Sequence, residues 1–106
     1  MTSPSPAIRL YAPPNGLEAA YGEAVRIGLI SLSTDIAIER DFGRMVPDDS
    51  LGLYTTRIRL DWPNTDETFL ALADRIPDAA SVIVPNVRLD AVVFGCTSAS
   101  TLIGSE

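Results

Sequence analysis

The segment VRIGLISL, from Val25 to Leu32, is apolar on both faces of an extended chain except at Arg26. This pattern is typical of a strand inside a parallel sheet, where helices cover both faces. The segment LDAVVFG, from Leu89 to Gly95, has the same character and is predicted to be a second fully buried strand. Parallel strands cannot be joined by a tight hairpin, so a chain with two of them must place crossover segments between them.

The crossover segments carry the signals of helices. After the first strand, Asp35 or Thr34 is predicted to cap a helix in STDIAIERDFGRMVP, which ends at Pro47. The long segment NTDETFLALADRIPDAASVIVP repeats apolar residues at helical spacing, and Pro77 is predicted to kink it or to divide it into two short helices. CTSASTLIGSE is predicted to begin a further helix.

A third strand is predicted in GLYTTRIRLDW, where apolar and polar residues alternate and Arg57 and Arg59 share one side. Such alternation indicates a half-exposed strand at the edge of a sheet. The order of strands and helices predicts an α/β fold: a small three-layer parallel sheet with right-handed crossovers and the flavodoxin-like strand order 2-1-3. Residues 25–106 are predicted to form this lobe, and the proline-rich residues 1–24 to form an irregular arm.

Composition argues against several classes of function. The net charge is −6, and the eight arginines are scattered singly in a chain without lysine, which argues against binding to nucleic acid or to an anionic membrane surface. No apolar run approaches the roughly 20 residues that span a bilayer. The first 24 residues lack the pattern of a signal peptide, and one cysteine cannot form an internal disulfide, so a cytoplasmic location is predicted.

The absence of histidine removes the commonest general base and every Ser-His or Cys-His pair within this chain. The lone Cys96 also lacks the companions that other cysteine chemistries require. A phosphatase loop needs an arginine where Leu102 stands, and thioredoxin-type exchange needs a second cysteine in a C-x-x-C motif, which this chain with its single cysteine lacks. A zinc site needs several cysteines or histidines, so no metal is expected.

Hydroxyl-rich loops, Ser31–Asp35 and Gly95–Ser100, follow the two apolar strands. Ligands of such sheets bind outside the carboxyl ends of the strands, where the chain reverses direction. Cys96 is predicted to lie at the amino end of a helix, where partial positive charge favours a thiolate. The backbone N–H groups and hydroxyls of Thr97 and Ser98 could hold a carboxylate beside it.

Each of these residues also has a purely structural interpretation. Asp35 could orient a hydroxyl or an amine of a substrate, or it could be a plain helix cap. Cys96 could be inert core material after a buried strand. Thr97 and Ser98 could be helix caps, and the arginines of the third strand could be a solvated face. The residues alone leave these alternatives open.

Two stretches, RIGLISLSTDIAIERDFGRM and DAVVFGCTSASTLIGSE, resemble the amino-terminal half of maleate cis-trans isomerases and arylmalonate decarboxylases, in the aspartate/glutamate racemase superfamily. The likeness is greatest to the member encoded with ectoine-degradation enzymes. The resemblance implies a two-lobed protein with its site between the lobes and no cofactor or metal. It implies that Cys96 attacks or deprotonates a small carboxylate, which Thr97 and Ser98 hold.

The resemblance also implies that the loop after the first strand, with Ser33, Thr34 and Asp35, contacts the substrate. Asp35 stands where the family commonly has an asparagine, and an acid there suits an amino-acid-like substrate with an ammonium group. The expected second lobe is missing from these 106 residues, so the chain is expected to be truncated or to self-associate. The alternative is a non-catalytic lobe that binds a carboxylate or acts as an interaction module.

Overall fold

The computed structural model describes residues 24–46 and 48–104, so nearly all of the predicted arm (residues 1–24) and Pro47 lie outside the described residues. The described chain forms three strands, β1 (Val25–Leu32), β2 (Leu51–Ile58) and β3 (Ala91–Phe94). They build one sheet of order β2-β1-β3, in which both neighbouring pairs are parallel. The predicted α/β fold and strand order are confirmed.

The central strand β1 has the predicted bounds and the predicted burial. Leu29 and Ile30 are fully buried, and even the polar Ser31 is inaccessible to solvent. Arg26, the polar exception in the sequence pattern, is only 5% exposed, and its backbone N–H donates to the carboxylate of Asp90 at 2.8 Å. A strand with neighbours on both sides and apolar layers on both faces explains the uninterrupted hydrophobic run.

β2 is an edge strand, as its alternating sequence predicts. Ile58 is buried in the core, whereas Arg57 is exposed. The prediction for β3 was wrong in extent and in burial. The strand is four residues long rather than seven, and Val93 is 37% exposed. The physical reason is that β3 pairs only with β1 among the described strands, and one of its two faces is largely uncovered.

The long helical segment is divided into α2 (Asp66–Leu70) and α3 (Leu72–Ser81), here numbered after α1 (Ile38–Met45). A kink or a division into two short helices was predicted at Pro77; the division is present, but it lies at a different residue. It falls at Ala71, which donates its N–H back to the carbonyls of Glu67 and Phe69. Pro77 lies inside α3 at a solvent-exposed position, where it removes a single N–H donor and its ring points away from the core.

The fourth helix, α4 (Thr97–Ile103), begins where the sequence predicts it, directly after β3 and the two residues Gly95 and Cys96. The even-numbered residues of β1 and β3 face a core that α2, α3 and α4 complete. That core contains Ile30, Ile58, Leu72, Ala79, Ala80, Ile83, Leu89, Cys96 and Ala99. The opposite face of the sheet lies beneath α1, which has no buried residue. The two outer layers are therefore unequal.

Candidate functional site

The carboxyl ends of the three parallel strands lie at one edge of the sheet, and the two predicted loops meet there. The loop from Ser33 to Ala37 leaves β1, and Gly95 and Cys96 leave β3. The N–H of Gly95 donates to the carbonyl of Ile30 at 2.9 Å, which ties the second loop to the central strand. The topology thus brings together the two segments that the sequence singled out.

Cys96 is the N-cap residue of α4, with extended backbone angles (φ −146°, ψ 105°). Its Sγ accepts a hydrogen bond from the backbone N–H of Ala99 at 3.5 Å. An amide group therefore points at the sulfur, as expected for a cysteine at a helix amino terminus. The residue is also only 9% exposed and packs with the main core. Cys96 thus combines the predicted position with the burial that the structural alternative requires.

The space beside Gly95 is occupied by the protein itself. A side-chain carbon at this position would collide with Cδ1 of Ile38, the first residue of α1, and would come within 3.5 Å of Leu29. Glycine is needed at this position because α1 sits directly on the loop after β3.

Thr97 and Ser98 are exposed and face a groove between α2 and α4 rather than the gap between the two loops. The groove has a volume of about 430 Å³, and its other lining residues are Asp66, Phe69, Thr101 and Leu102. Asp66 is the one charged residue in that lining. A carboxylate held by Thr97 and Ser98 would therefore have an acid as its neighbour, whereas a ligand that also carries a positive group would not be repelled.

The N-cap residue of α1 is Ala37, so the predicted cap at Asp35 or Thr34 was wrong; Asp35 instead bonds to the start of the helix from two residues before that N-cap. Its Oδ1 accepts the backbone N–H groups of Ala37 at 2.8 Å and Ile38 at 2.9 Å. These two hydrogen bonds, first that from Ile38, lower the pKa of the carboxyl group below its usual value of 3.8, and the charge of Arg57 lowers it further. The carboxylate is therefore ionised at neutral pH and committed in part to the backbone of its own loop.

Ser33 is also used within the protein. Its Oγ accepts the N–H of Leu60 at 3.1 Å, and its own N–H donates to the carbonyl of Ile58 at 2.8 Å. Thr34 is exposed next to it. Of the three residues expected to contact a substrate in this loop, Ser33 and Asp35 hold the loop in shape, and the side chain of Thr34 faces solvent.

Arg57 has a structural role that the sequence pattern does not reveal. Its Nη1 donates to the carbonyls of Leu32 at 2.9 Å and Asp35 at 2.8 Å, and its Nη2 bonds to Oε1 of Glu39 at 2.6 Å. The sequence indicated a solvated strand face here, and Arg57 is indeed exposed, but its guanidinium also holds the loop after β1. The register pairs it with Ser31 near the end of β1, so a long side chain there can reach the carbonyls of the loop.

Neither loop carries a positive side chain of its own, as the sequence indicates, but Arg57 brings one in from β2. Arg75 has a similar role on the next segment, since its Nη1 donates to the carbonyl of Arg59 and its Nη2 pairs with Asp61 at 2.7 Å. These arginines are therefore structural clamps on the loops at the carboxyl edge.

Within the described residues, no group of three or more histidine, cysteine or acidic side chains is placed to hold a metal ion. In the same part of the chain, none of the helices has both the length and the apolar character needed to cross a membrane.

Comparison with known proteins finds no family model, no curated protein and no solved structure that matches this chain.

Proposed function

We propose that this chain corresponds to the amino-terminal lobe of a cofactor-independent isomerase or racemase-type enzyme. In this proposal the thiol of Cys96 is the reactive group. The observation that carries the proposal is the position of that thiol. Cys96 caps α4 at the carboxyl edge of a parallel sheet, and its Sγ accepts the N–H of Ala99. The proposed reactive form of this sulfur is the thiolate, which is the nucleophilic and basic form of a cysteine.

The substrate class in this proposal is a small carboxylate, and an amino acid is favoured over a simple dicarboxylate. Thr97 and Ser98 supply exposed hydroxyl and N–H groups beside the thiol. Asp66 lines the groove that Thr97 and Ser98 face, and a second acid, Asp35, lies on the loop after β1. A ligand with an ammonium group reduces the repulsion that a doubly negative ligand would meet there.

The chemistry assigned to Cys96 is transfer of a proton at the carbon next to the carboxylate. The thiolate removes the proton, the electron pair of the C–H bond moves toward the carboxylate, and the thiol returns a proton. One thiol can act on only one face of that carbon, so alone it exchanges the proton and retains configuration. Inversion requires a second acid on the opposite face, and a second lobe or another copy of the chain is the proposed source.

A second candidate is a non-catalytic lobe that binds a carboxylate or serves as an interaction module. Two observations favour it: Cys96 is 9% exposed within the core, and Ile38 fills the space beside Gly95. In this candidate the sulfur serves only as a cap, and the exposed hydroxyls of α4 are the binding groups.

Deuterium exchange distinguishes the two candidates. The full chain is incubated in D2O with aspartate or glutamate, and proton NMR follows loss of the Cα–H signal of each. The enzyme proposal expects catalysed change in at least one of these, and loss of it in Cys96→Ser. Serine can still cap Ala99, so this variant removes the thiol and keeps the helix terminus.

The binding candidate expects no exchange, but ligand-dependent shifts of the Thr97 and Ser98 amide signals in both proteins. Catalysed exchange that persists in Cys96→Ser would contradict the assigned role of the thiol. A part in ectoine degradation and a cytoplasmic location belong to the proposal, since the resemblance and the single cysteine support them.

A further inference from the structure

The face of the sheet beneath α1 is only partly covered. Two contacts fix the rotation of α1: Ile38 lies against Gly95, and Glu39 bonds to Arg57 on the β2 side. The helical period then places Asp41 on the flank opposite Glu39, which is the side toward β3. Met45 lies two turns after Ile38 on the same stripe, yet it is 72% exposed.

The same face of β3 is open. Val93 lies beside Leu29 in the ladder, so it shares the α1 face of the sheet, and its neighbour on that face is Ala91. Val93 is 37% exposed and Ala91 is exposed as well. We call this surface the β3 bay: a floor of Ala91 and Val93, with Met45, Asp41 and Arg44 along the flank of α1.

A bay of this kind is unusual for a parallel sheet, because such sheets normally have both faces buried. Ala91, Val93 and Met45 make it apolar, and the charged Asp41 and Arg44 lie at its margin. An apolar centre with a polar rim is the composition of a protein interface. Within the described part of the chain, neither Asp41 nor Arg44 takes part in an ion pair. As far as the described residues are concerned, both charges are available to a partner.

We propose that a second copy of this chain covers the β3 bay, with the two α1 helices antiparallel about a twofold axis. In this arrangement each Met45 packs over the Ala91 and Val93 floor of the other copy. Asp41 of one copy then faces Arg44 of the other, and the symmetry makes this contact twice. The contact does not involve Cys96, so it stands or fails independently of the proposed function.

The distribution of charge on α1 favours a second copy of this chain as the partner. The chain carries a net charge of −6, so two copies repel each other over most of their surfaces. On α1 the charges cancel, because Glu39 and Asp41 balance Arg40 and Arg44. The acids begin in the first turn and Arg44 lies in the last, so an antiparallel copy presents opposite charges to each end. The bay is thus complementary to its own copy.

Sedimentation velocity of the full chain tests the proposal, with loading from about 1 to about 300 µM. The expected result is a concentration-dependent shift from monomer to dimer. Met45→Glu should raise the dissociation constant by at least about tenfold, because it places an acid over an apolar floor. Val82→Glu is the matched control: Val82 is 65% exposed but lies after α3 on the other side of the sheet, and the dimer should persist.

A charge exchange tests the orientation of the two copies. Asp41→Arg and Arg44→Asp should each weaken the dimer, and the double variant should restore it, because the contacts are recreated with their signs reversed. A monomer at every concentration would overturn the proposal, and that includes the case in which residues 1–23 of the same chain cover the bay. Equal dimerisation of all variants would also overturn it, since the interface would then lie elsewhere.

Discussion

The loops that follow β1 and β3 lie side by side at the same edge of the sheet, yet their polar groups are used differently. In the loop after β1, Asp35 and Ser33 bond to backbone groups, and Arg57 clamps the carbonyls. After β3, Thr97 and Ser98 are exposed. The loop after β1 is therefore held in place by internal hydrogen bonds, whereas the loop after β3 leads into residues whose polar groups are available to a ligand. Four substitutions examine this contrast.

The largest effect is expected at Arg57. Arg57→Ala removes hydrogen bonds to the carbonyls of Leu32 and Asp35 and the ion pair with Glu39. We expect the free energy of unfolding to fall by about 2 kcal/mol, because several charge-assisted hydrogen bonds are lost together. Urea denaturation measures it. Arg59→Ala is the control, since that side chain is 82% exposed and its ion pair should contribute under about 1 kcal/mol.

Gly95→Ala examines the contact between α1 and the loop after β3. The new methyl group collides with Cδ1 of Ile38, the end of a flexible side chain, so the expected loss of stability is about 1 kcal/mol. Ile38→Val removes that carbon. In the Ile38→Val background, Gly95→Ala should therefore cause a smaller loss of stability. Gly43→Ala is the control of opposite sign: it meets nothing within 4 Å and lies inside α1, so it should stabilise the protein. Additive effects of Gly95→Ala and Ile38→Val would show that α1 does not press on this loop.

Ser33→Ala tests whether side-chain hydrogen bonds hold the loop after β1 in place. The N–H of Leu60 loses the acceptor that lies at 3.1 Å, and we expect a loss just under about 1 kcal/mol, since the site is exposed and water replaces part of the bond. Thermal unfolding of Ser33→Ala and Thr34→Ala provides the comparison. Thr34 is exposed, so its truncation should leave the melting temperature unchanged. Equal losses would contradict the difference drawn between the two neighbours.

The smallest effect is a pH dependence at Asp35. Because the folded pKa lies below the usual 3.8, the ionised carboxylate stabilises the fold at pH values above 3.8, and that contribution disappears as the pH falls through the folded pKa. Asp35→Asn should therefore flatten the acid limb of the stability curve while leaving a side-chain acceptor for the N–H groups of Ala37 and Ile38. Asp48 and Asp61, whose pKa values are also lowered, contribute equally in both proteins. An unchanged acid limb would contradict the assigned hydrogen bonds.

The sequence predicts the architecture well because hydrophobic runs and helix signals are local. β1 has the expected bounds, and Cys96 does cap a helix. What the sequence does not reveal depends on contacts between distant residues. The role of Arg57 needs the register between β2 and β1, and the use of Gly95 needs the position of Ile38. The exposure of β3 depends on which faces the helices leave uncovered, and no pattern within its four residues records that.

The same distinction applies to the candidate site. The two loops were identified because chain order and strand order place them together. The direction in which Thr97 and Ser98 face is a property of the packing of α4 against α2, so the groove with Asp66 and Phe69 was not foreseen. The burial of Cys96 could not be predicted from the neighbouring sequence either. The small hydroxyl residues that follow it are compatible both with a reactive cysteine and with a buried one.

The most direct test of the account is the reactivity of Cys96, the single cysteine of the chain. Native and urea-unfolded protein are treated with iodoacetamide at neutral pH, and intact mass spectrometry follows the rate of single alkylation. We predict faster labelling of the native chain, because Cys96 is proposed to react as a thiolate and the N–H of Ala99 already points at its sulfur. A native protein that resists labelling while the unfolded chain reacts readily would contradict it and leave the cysteine as a buried cap.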